Sequence, residues 1–169
     1  VVIGSGDIGL IMARRMVFEG MKVEGVIEIM PKSRGLARNI KQCLQDFGIP
    51  LYLGHKVKNI CGAERVEKVV VCRVDGNFNE IDGTRFEVAC DTVLVSVGLI
   101  PENELLEMAG GKIDKATNMP VAEKLNLTSI EGVFSCGNCH KVYDLVDWVT
   151  RDSLAAGKAA AEFLKAGRK

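Results

Sequence analysis

The chain has 169 residues, which fits one ordinary domain or one domain with a substantial part of a second. Its 22 Lys and Arg residues equal its 22 Asp and Glu residues in number, so it lacks the basic excess of a general nucleic-acid-binding protein. The hydrophobic fraction of 47% and the charged fraction of 26% exclude disordered, collagen-like and coiled-coil chains. We expect no membrane span and no signal peptide, and therefore a cytoplasmic protein.

The first half of the chain alternates between strand-like and helix-like patterns. Apolar, β-branched runs predict short strands, and apolar residues three or four positions apart predict helices. In chain order these are a strand at 1–3, a helix at 8–20, a strand at 23–29, a helix at 36–47 and a strand at 49–53. Strands that alternate with helices through short joints pair in parallel, so the pattern predicts an α/β fold with helices on both faces of a parallel sheet.

The pattern changes after residue 54. Three β-like segments, 55–60, 65–74 and 84–90, are separated by turns, and the Asp75-Gly76 pair is a hairpin signal. These segments predict an antiparallel β-meander. The continuous apolar run Thr92–Val97 then predicts a buried parallel strand.

The last third of the chain is less regular. It predicts a short helix at 103–109, a short strand at 132–135 and a long helix at 144–165. These elements make a poor independent core, so we expect residues 101–169 to pack against a further part of the fold. Because the chain starts inside a strand and without Met, we also expect it to be a piece of a longer protein.

The strongest chemical signal is the glycine motif Gly4-Ser5-Gly6-Asp7-Ile8-Gly9, which follows a strand and opens a helix. Gly4 permits the tight turn, Gly6 leaves space for a pyrophosphate, and Gly9 lets the helix pack closely on the strand. The helix N-terminus adds free N–H groups and a positive dipole end. The motif predicts a Rossmann-type dinucleotide site, with a glycine turn of an unrelated α/β protein as the alternative.

A carboxylate stands at the end of the second predicted strand. Glu28 lies 19 residues after Gly9, where it can accept hydrogen bonds from the adenosine ribose and repel a 2′-phosphate. Ile29-Met30-Pro31 follows, without an adjacent arginine. We therefore expect NAD(H) to be preferred over NADP(H).

A second motif, Cys136-Gly137-Asn138-Cys139-His140, matches both the c-type haem attachment pattern and a dithiol redox pattern. The haem interpretation needs export, and the dithiol interpretation usually has a helix opening at the first cysteine. Neither context is predicted here, although dithiol chemistry stays open. The remaining cysteines are dispersed, which favours reduced thiols. The sequence predicts no metal-ligand cluster, and no catalytic acid, base or nucleophile is assigned.

The chain resembles the pyridine nucleotide–disulfide oxidoreductases, in which an NAD domain with a three-strand meander is inserted into an FAD domain. Residues 1–28, with VVIGSGDIGLIMARRM and VEGVIE, resemble the start of the NAD domain. Residues 95–103 resemble the segment that crosses back to the FAD domain, and residues 128–138 resemble the second FAD motif. That motif ends in Asp in the family and in Asn138 here, and the first FAD-binding glycine motif is not found.

The resemblance implies that residues 1–100 form an NAD(H)-binding Rossmann domain and that residues 101–169 form the C-terminal part of a split FAD-binding domain. It implies hydride transfer from NADH to FAD in the full-length parent, and gives no support for disulfide reduction. The fragment alone is expected to be inactive. The expected cofactor-binding residues are Gly4, Ser5, Gly6, Asp7, Ile8, Gly9, Glu28, Gly98, Gly137 and Asn138.

The expected partners are NADH and the missing N-terminal FAD-binding part, with a homodimer or a partner oxidoreductase subunit left open. An alternative function is a non-catalytic dinucleotide-binding module with a redox-sensing or regulatory role. Such a module needs no FAD segment, so residues 128–138 favour the flavoenzyme. A dehydrogenase acting on its own substrate would need a catalytic His, Lys or Tyr constellation, which the sequence does not offer.

Overall fold

The computed structural model describes residues 1–122 and 126–167, and the chain divides into two compact units, Val1–Gly98 and Leu99–Lys169. Within the described residues, no helix combines the length and the hydropathy needed to cross a bilayer.

The first unit is built on a parallel sheet of four short strands. They are β1 (Val2–Ile3), β2 (Val26–Glu28), β3 (Leu51–Leu53) and β7 (Leu94–Val95), in the spatial order β3-β2-β1-β7. Val2 pairs with Val26 and with Leu94, so β1 lies in the middle of the sheet. The carboxyl ends of β1 and β2 are therefore neighbours, and this is the edge at which α/β sheets bind ligands.

One face of this sheet is covered by two helices, α1 (Asp7–Phe18) and α2 (Ala37–Cys43). Leu10 and Ala13 of α1 are fully buried against Val2 and Val26 of the sheet. The predicted helix at 36–47 is divided: α2 ends at Cys43 and a 3₁₀ turn, Gln45–Phe47, follows it.

The other face carries the antiparallel sheet β4 (His55–Cys61), β5 (Lys68–Arg73) and β6 (Phe86–Ala89), in that spatial order. Val69 and Val71 lie on the same face of β5 and pack with Ile27 of the parallel sheet, and all three residues are buried. The mixed α/β class and the β-meander are confirmed. The second face differs from the expectation of helices on both faces, because the apolar side of the meander covers it.

The strand predicted at 92–97 forms only as Leu94–Val95, parallel to β1. Its burial was predicted wrongly, since the Val95 residue is 61% exposed. The reason is its place at the end of the sheet order, where it has a single neighbouring strand.

The second unit contains α3 (Glu104–Met108), a 3₁₀ turn at Gly137–Cys139 and the long helix α4 (Val146–Ala166). The predicted strand at 132–135 is wrong, because among residues 1–122 and 126–167 it forms only a single bridge, between Phe134 and Leu127. Phe134 instead packs its ring edge-on against Phe163 of α4, with 5.9 Å between ring centroids.

Candidate dinucleotide-binding site

The turn after β1 requires glycine at two of its positions. Gly4 has a φ of +96°, and a Cβ there would lie 2.0 Å from the carbonyl oxygen of Ser96. A Cβ on Gly9 would lie 2.5 Å from the carbonyl oxygen of Gly4. The absence of side chains at these two glycines therefore lets the backbone of the turn contact both the start of α1 and the segment that follows β7.

Gly6 is a glycine for a different reason. A Cβ at this position would meet no atom within 4 Å, so nothing in the protein itself prevents a larger side chain. Gly6 is the N-cap of α1 and provides no side-chain cap, which leaves the first-turn N–H groups of the helix for another acceptor. An uncapped helix N-terminus with open space in front of it favours an anionic group such as a phosphate.

Asp7, in the first turn of α1, holds the following loop in place. Its Oδ1 accepts hydrogen bonds from the Leu36 N–H at 2.8 Å and from Asn39 Nδ2 at 2.7 Å. Asp7, which we expect to contact a bound dinucleotide, therefore also stabilises the loop before α2. Ile8 is 70% exposed at the same helix end.

The loop between β2 and α2 is tied to the glycine turn. The carbonyl oxygen of Ser5 accepts hydrogen bonds from the Ser33 hydroxyl at 2.8 Å and from the Gly35 N–H at 3.0 Å. A Cβ on Gly35 would lie 2.3 Å from Cδ1 of Leu10, so the loop also contacts α1 closely. The loop that follows Glu28 thus has a fixed position relative to the glycine turn.

Glu28 lies at the carboxyl end of β2 and is only 6% exposed. Its Oε2 accepts hydrogen bonds from the Ser5 N–H at 2.9 Å and from the Ser5 hydroxyl at 2.6 Å, and its Oε1 accepts one from the Met30 N–H at 2.8 Å. Burial raises the pKa of Glu28. These hydrogen bonds, together with the charge of Arg34, outweigh burial and hold the pKa below its ordinary value.

The structure therefore brings Gly4, Gly6, Gly9 and Glu28 together at one edge of the sheet, while Gly98 follows β7 in the same unit with a φ of +120°. Sequence reasoning missed Ser33, Gly35 and Ser96. The parallel pairing of β1 with β7 was the one signal that could have pointed to Ser96, whereas the hydrogen bonds of Ser33 and Gly35 have no local sequence signature.

The second motif forms a tight turn in the second unit. Gly137 has a φ of +70°, and its N–H donates to Oδ2 of Asp152 on α4 at 2.9 Å. Oδ1 of Asp152 accepts a hydrogen bond from Asn126 Nδ2, also at 2.9 Å. Burial raises the pKa of Asp152, but these hydrogen bonds outweigh it and hold the pKa below its ordinary value.

The side chains around this turn have different exposures and partners. Asn138 is exposed, and its Oδ1 accepts a hydrogen bond from the Tyr143 N–H at 3.3 Å. The Cys139 thiol donates to the carbonyl oxygen of Cys136 at 3.0 Å, and both cysteines are free thiols. Across residues 1–122 and 126–167, no three His, Cys, Asp or Glu side chains are grouped so as to hold a metal ion.

Comparison with known proteins identifies the family of the chain. The sequence model of the family described as "Pyridine nucleotide-disulphide oxidoreductase" matches residues 1–153. An NADH oxidase of Methanocaldococcus jannaschii is 32% identical over 150 residues, which cover 86% of this chain and 30% of the relative. A CoA-dependent NAD(P)H sulfur oxidoreductase of Pyrococcus furiosus is 31% identical over 145 residues, which cover 82% of this chain and 29% of the relative.

Solved structures give the same result for the fold. The crystal structure of T. acidophilum thioredoxin reductase matches with a TM-score of 0.75 and 25% sequence identity, covering 99% of this chain and 52% of that chain. The chain therefore spans about half the length of this solved structure and about a third of the length of the two curated relatives.

Proposed function

Because this chain belongs to the pyridine nucleotide-disulphide oxidoreductase family, a family of flavin-dependent oxidoreductases, we propose that it binds NAD(H) and presents it for hydride transfer to FAD. The first unit would hold the nicotinamide dinucleotide. The second unit would supply the C-terminal part of a split FAD-binding domain.

The observation that carries this proposal is the open, uncapped N-terminus of α1. A dinucleotide pyrophosphate placed over Gly6 would accept hydrogen bonds from the first-turn N–H groups and would face the positive end of the helix dipole. Any side chain at this position would occupy that space. Gly6, the N-cap residue of α1, has no side chain that could cap these N–H groups.

The preference for NAD(H) rests on Glu28. Its low pKa keeps the carboxylate charged at neutral pH, so it would attract a ribose hydroxyl and repel a 2′-phosphate. Three hydrogen bonds already occupy most of its acceptor positions, which leaves Oε1 with room for one further donor. We therefore expect one ribose hydroxyl to bind Glu28.

In the second unit, the turn at Gly137–Cys139 would contact FAD. The Asn138 side chain is exposed beside the Gly137 turn, and its Oδ1 is bound to the Tyr143 N–H, so its NH₂ group is the donor proposed to meet a flavin hydroxyl. When bound, FAD supplies the redox chemistry as acceptor of the hydride. The residues of this chain would supply position and electrostatics.

The experiment that tests the proposal is calorimetric titration of the purified chain with NADH and with NADPH. The Gly6→Ala variant should lower NADH affinity by roughly tenfold or more, because the methyl group occupies the phosphate space. Gly76→Ala is the matched control, since a Cβ there also meets no atom within 4 Å and the site is a remote hairpin. Equal losses in both variants would contradict the proposal.

A non-catalytic dinucleotide-binding module is the alternative function. It would bind NADH through the same turn, but the full-length protein would contain no flavin. The visible spectrum of the full-length protein separates the two functions, since flavin absorption that NADH bleaches is expected only for the oxidoreductase.

A further inference from the structure

Ser5 is the middle residue of the first Gly-x-Gly triplet, and its side chain does not face the open space in front of α1. It is 0% exposed and points at Glu28. Both of its donors, the N–H and the hydroxyl, reach the same oxygen, Oε2 of Glu28. This pairing joins the turn after β1 to the end of β2.

Counting acceptor positions shows what this pairing does to the carboxylate. A carboxylate accepts about four hydrogen bonds, two on each oxygen. Ser5 fills both positions on Oε2, and the Met30 N–H fills one on Oε1. The carboxylate cannot rotate without breaking a hydrogen bond in a nearly buried setting, so its free position has a fixed direction.

We propose that Ser5 is a positioning residue whose hydroxyl holds the Glu28 carboxylate in a fixed orientation, and that this hydrogen bond sets the preference of the site for NAD over NADP. The inference rests on the proposed function, since it concerns the same dinucleotide site.

The physical reason is that burial and hydrogen bonding act in opposite directions on the charge of Glu28. The carboxylate is buried, and burial by itself disfavours the charge. The Ser5 hydroxyl makes the largest of the favourable contributions, ahead of the two backbone N–H groups and the Arg34 charge. Without that hydroxyl, the carboxyl group would protonate at a higher pH. A neutral carboxyl group no longer repels a 2′-phosphate, and its orientation is held by fewer bonds.

The first test needs no ligand. The carboxyl carbon signal of Glu28 is followed by NMR against pH in the wild-type chain, in Ser5→Ala and in Ser33→Ala. We expect the titration midpoint to rise in Ser5→Ala alone. Ser33→Ala is the matched control, because it removes a hydroxyl that bonds to the Ser5 carbonyl oxygen and not to Glu28. An unchanged midpoint in Ser5→Ala, or an equal rise in both variants, would overturn the proposal.

The second test measures selectivity. The affinities for NAD⁺ and NADP⁺, which are stable in acid, are compared by calorimetry between about pH 4.5 and pH 8. The 2′-phosphate of free NADP⁺ titrates at about pH 6, and this contribution is the same for the wild type and for every variant. Without the Ser5 hydrogen bond the Glu28 carboxylate can turn away from the 2′ position, so we expect Ser5→Ala to reduce the preference for NAD⁺ by roughly tenfold, an effect no larger than the free energy of one hydrogen bond to a charged group. As the pH is lowered, the preference for NAD⁺ that remains in Ser5→Ala should disappear at a higher pH than the preference of the wild type.

The outcomes separate the two proposals. A wild-type chain that binds neither dinucleotide refutes the proposed function, and the selectivity role of Ser5 with it. A wild-type chain that binds NAD⁺, with the same preference and pH profile in Ser5→Ala, refutes the Ser5 proposal alone. If Ser5→Ala does not fold, Ser5→Cys serves in both tests, because a thiol keeps the side chain short and is a weak hydrogen-bond donor.

Discussion

The glycine turn of the first unit and that of the second use the same components in opposite ways. Each has a glycine at positive φ and a carboxylate that accepts a backbone N–H. In the first, α1 begins directly after Gly6 and its first-turn N–H groups have no N-cap side chain. In the second, α4 begins only at Val146, and its Asp152 takes the N–H of Gly137. The first turn thus leaves the N–H groups of its helix without an N-cap side chain, whereas the N–H of Gly137 in the second turn bonds to Asp152 and the Asn138 side chain is exposed.

The largest effect is expected from putting the same methyl group into both turns. Gly4→Ala should lower the free energy of unfolding by about 3 kcal/mol or more, because the new Cβ would collide with a backbone carbonyl oxygen at a positive φ. Gly137→Ala should cost only about 1–2 kcal/mol, since its Cβ would meet Val149 at an ordinary 3.6 Å. Urea unfolding of both variants measures the difference. Equal losses would show that the two turns are packed alike.

A smaller effect is expected from the carboxylate of the second turn. Asp152→Asn replaces an acceptor of two hydrogen bonds by a group that can accept at only one of its two positions. We expect a loss of about 1–2 kcal/mol in the free energy of unfolding. Asp144→Asn, at an exposed position just before α4, is the matched control and should change it by less than about 0.5 kcal/mol. If the Asp152→Asn variant were as stable as this control, the hydrogen bond from the Gly137 N–H to Asp152 would not stabilise the second turn.

The two carboxylates also predict a pH dependence. The pKa values of Glu28 and Asp152 lie below the ordinary values of 4.5 and 3.8 in the folded chain. Their contribution to stability is therefore complete above those ordinary values and is lost as the pH falls through the lower folded values. Urea midpoints between about pH 6 and pH 3 should fall, and the fall should be shallower in Glu28→Gln and in Asp152→Asn. A slope unaffected by either substitution would contradict the assigned pKa directions.

The smallest effect is expected at Asn138. Its side chain is exposed and makes one hydrogen bond, at 3.3 Å, so Asn138→Ala should change the free energy of unfolding by about 0.5 kcal/mol or less. A thermal melt of the variant beside the wild type checks this. A loss as large as that of Asp152→Asn would mean that Asn138 supports the turn itself rather than facing a ligand.

The sequence predicted the parts of the fold that depend on local patterns. The order β1, α1, β2 and the close packing at Gly4 and Gly9 follow from strand and helix periodicity and from the motif spacing. The contacts that define the site do not follow from them. Ser5 meets Glu28, and Gly137 meets Asp152, only because the fold brings distant residues together. No spacing rule predicts such pairs.

The wrong predictions have a related cause. The apolar pattern at 132–135 resembles a strand, but Phe134 uses its apolar side chain against α4 and forms a single bridge. The apolar run that contains Val95 resembles a buried strand, but a single strand pairs with it. Local hydrophobicity indicates which residues can be buried, and the number of neighbouring elements decides whether they are.

The most direct test maps the backbone amide NMR signals of the whole chain during titration with NAD⁺. We predict that the amides from the N-cap Gly6 to Gly9, at the start of α1, and the Met30 amide shift together. The amides of Gly137 to His140 should stay in place. Shifts confined to the second turn, or none anywhere at saturating NAD⁺, would contradict the claim that the uncapped α1 N-terminus is the dinucleotide site.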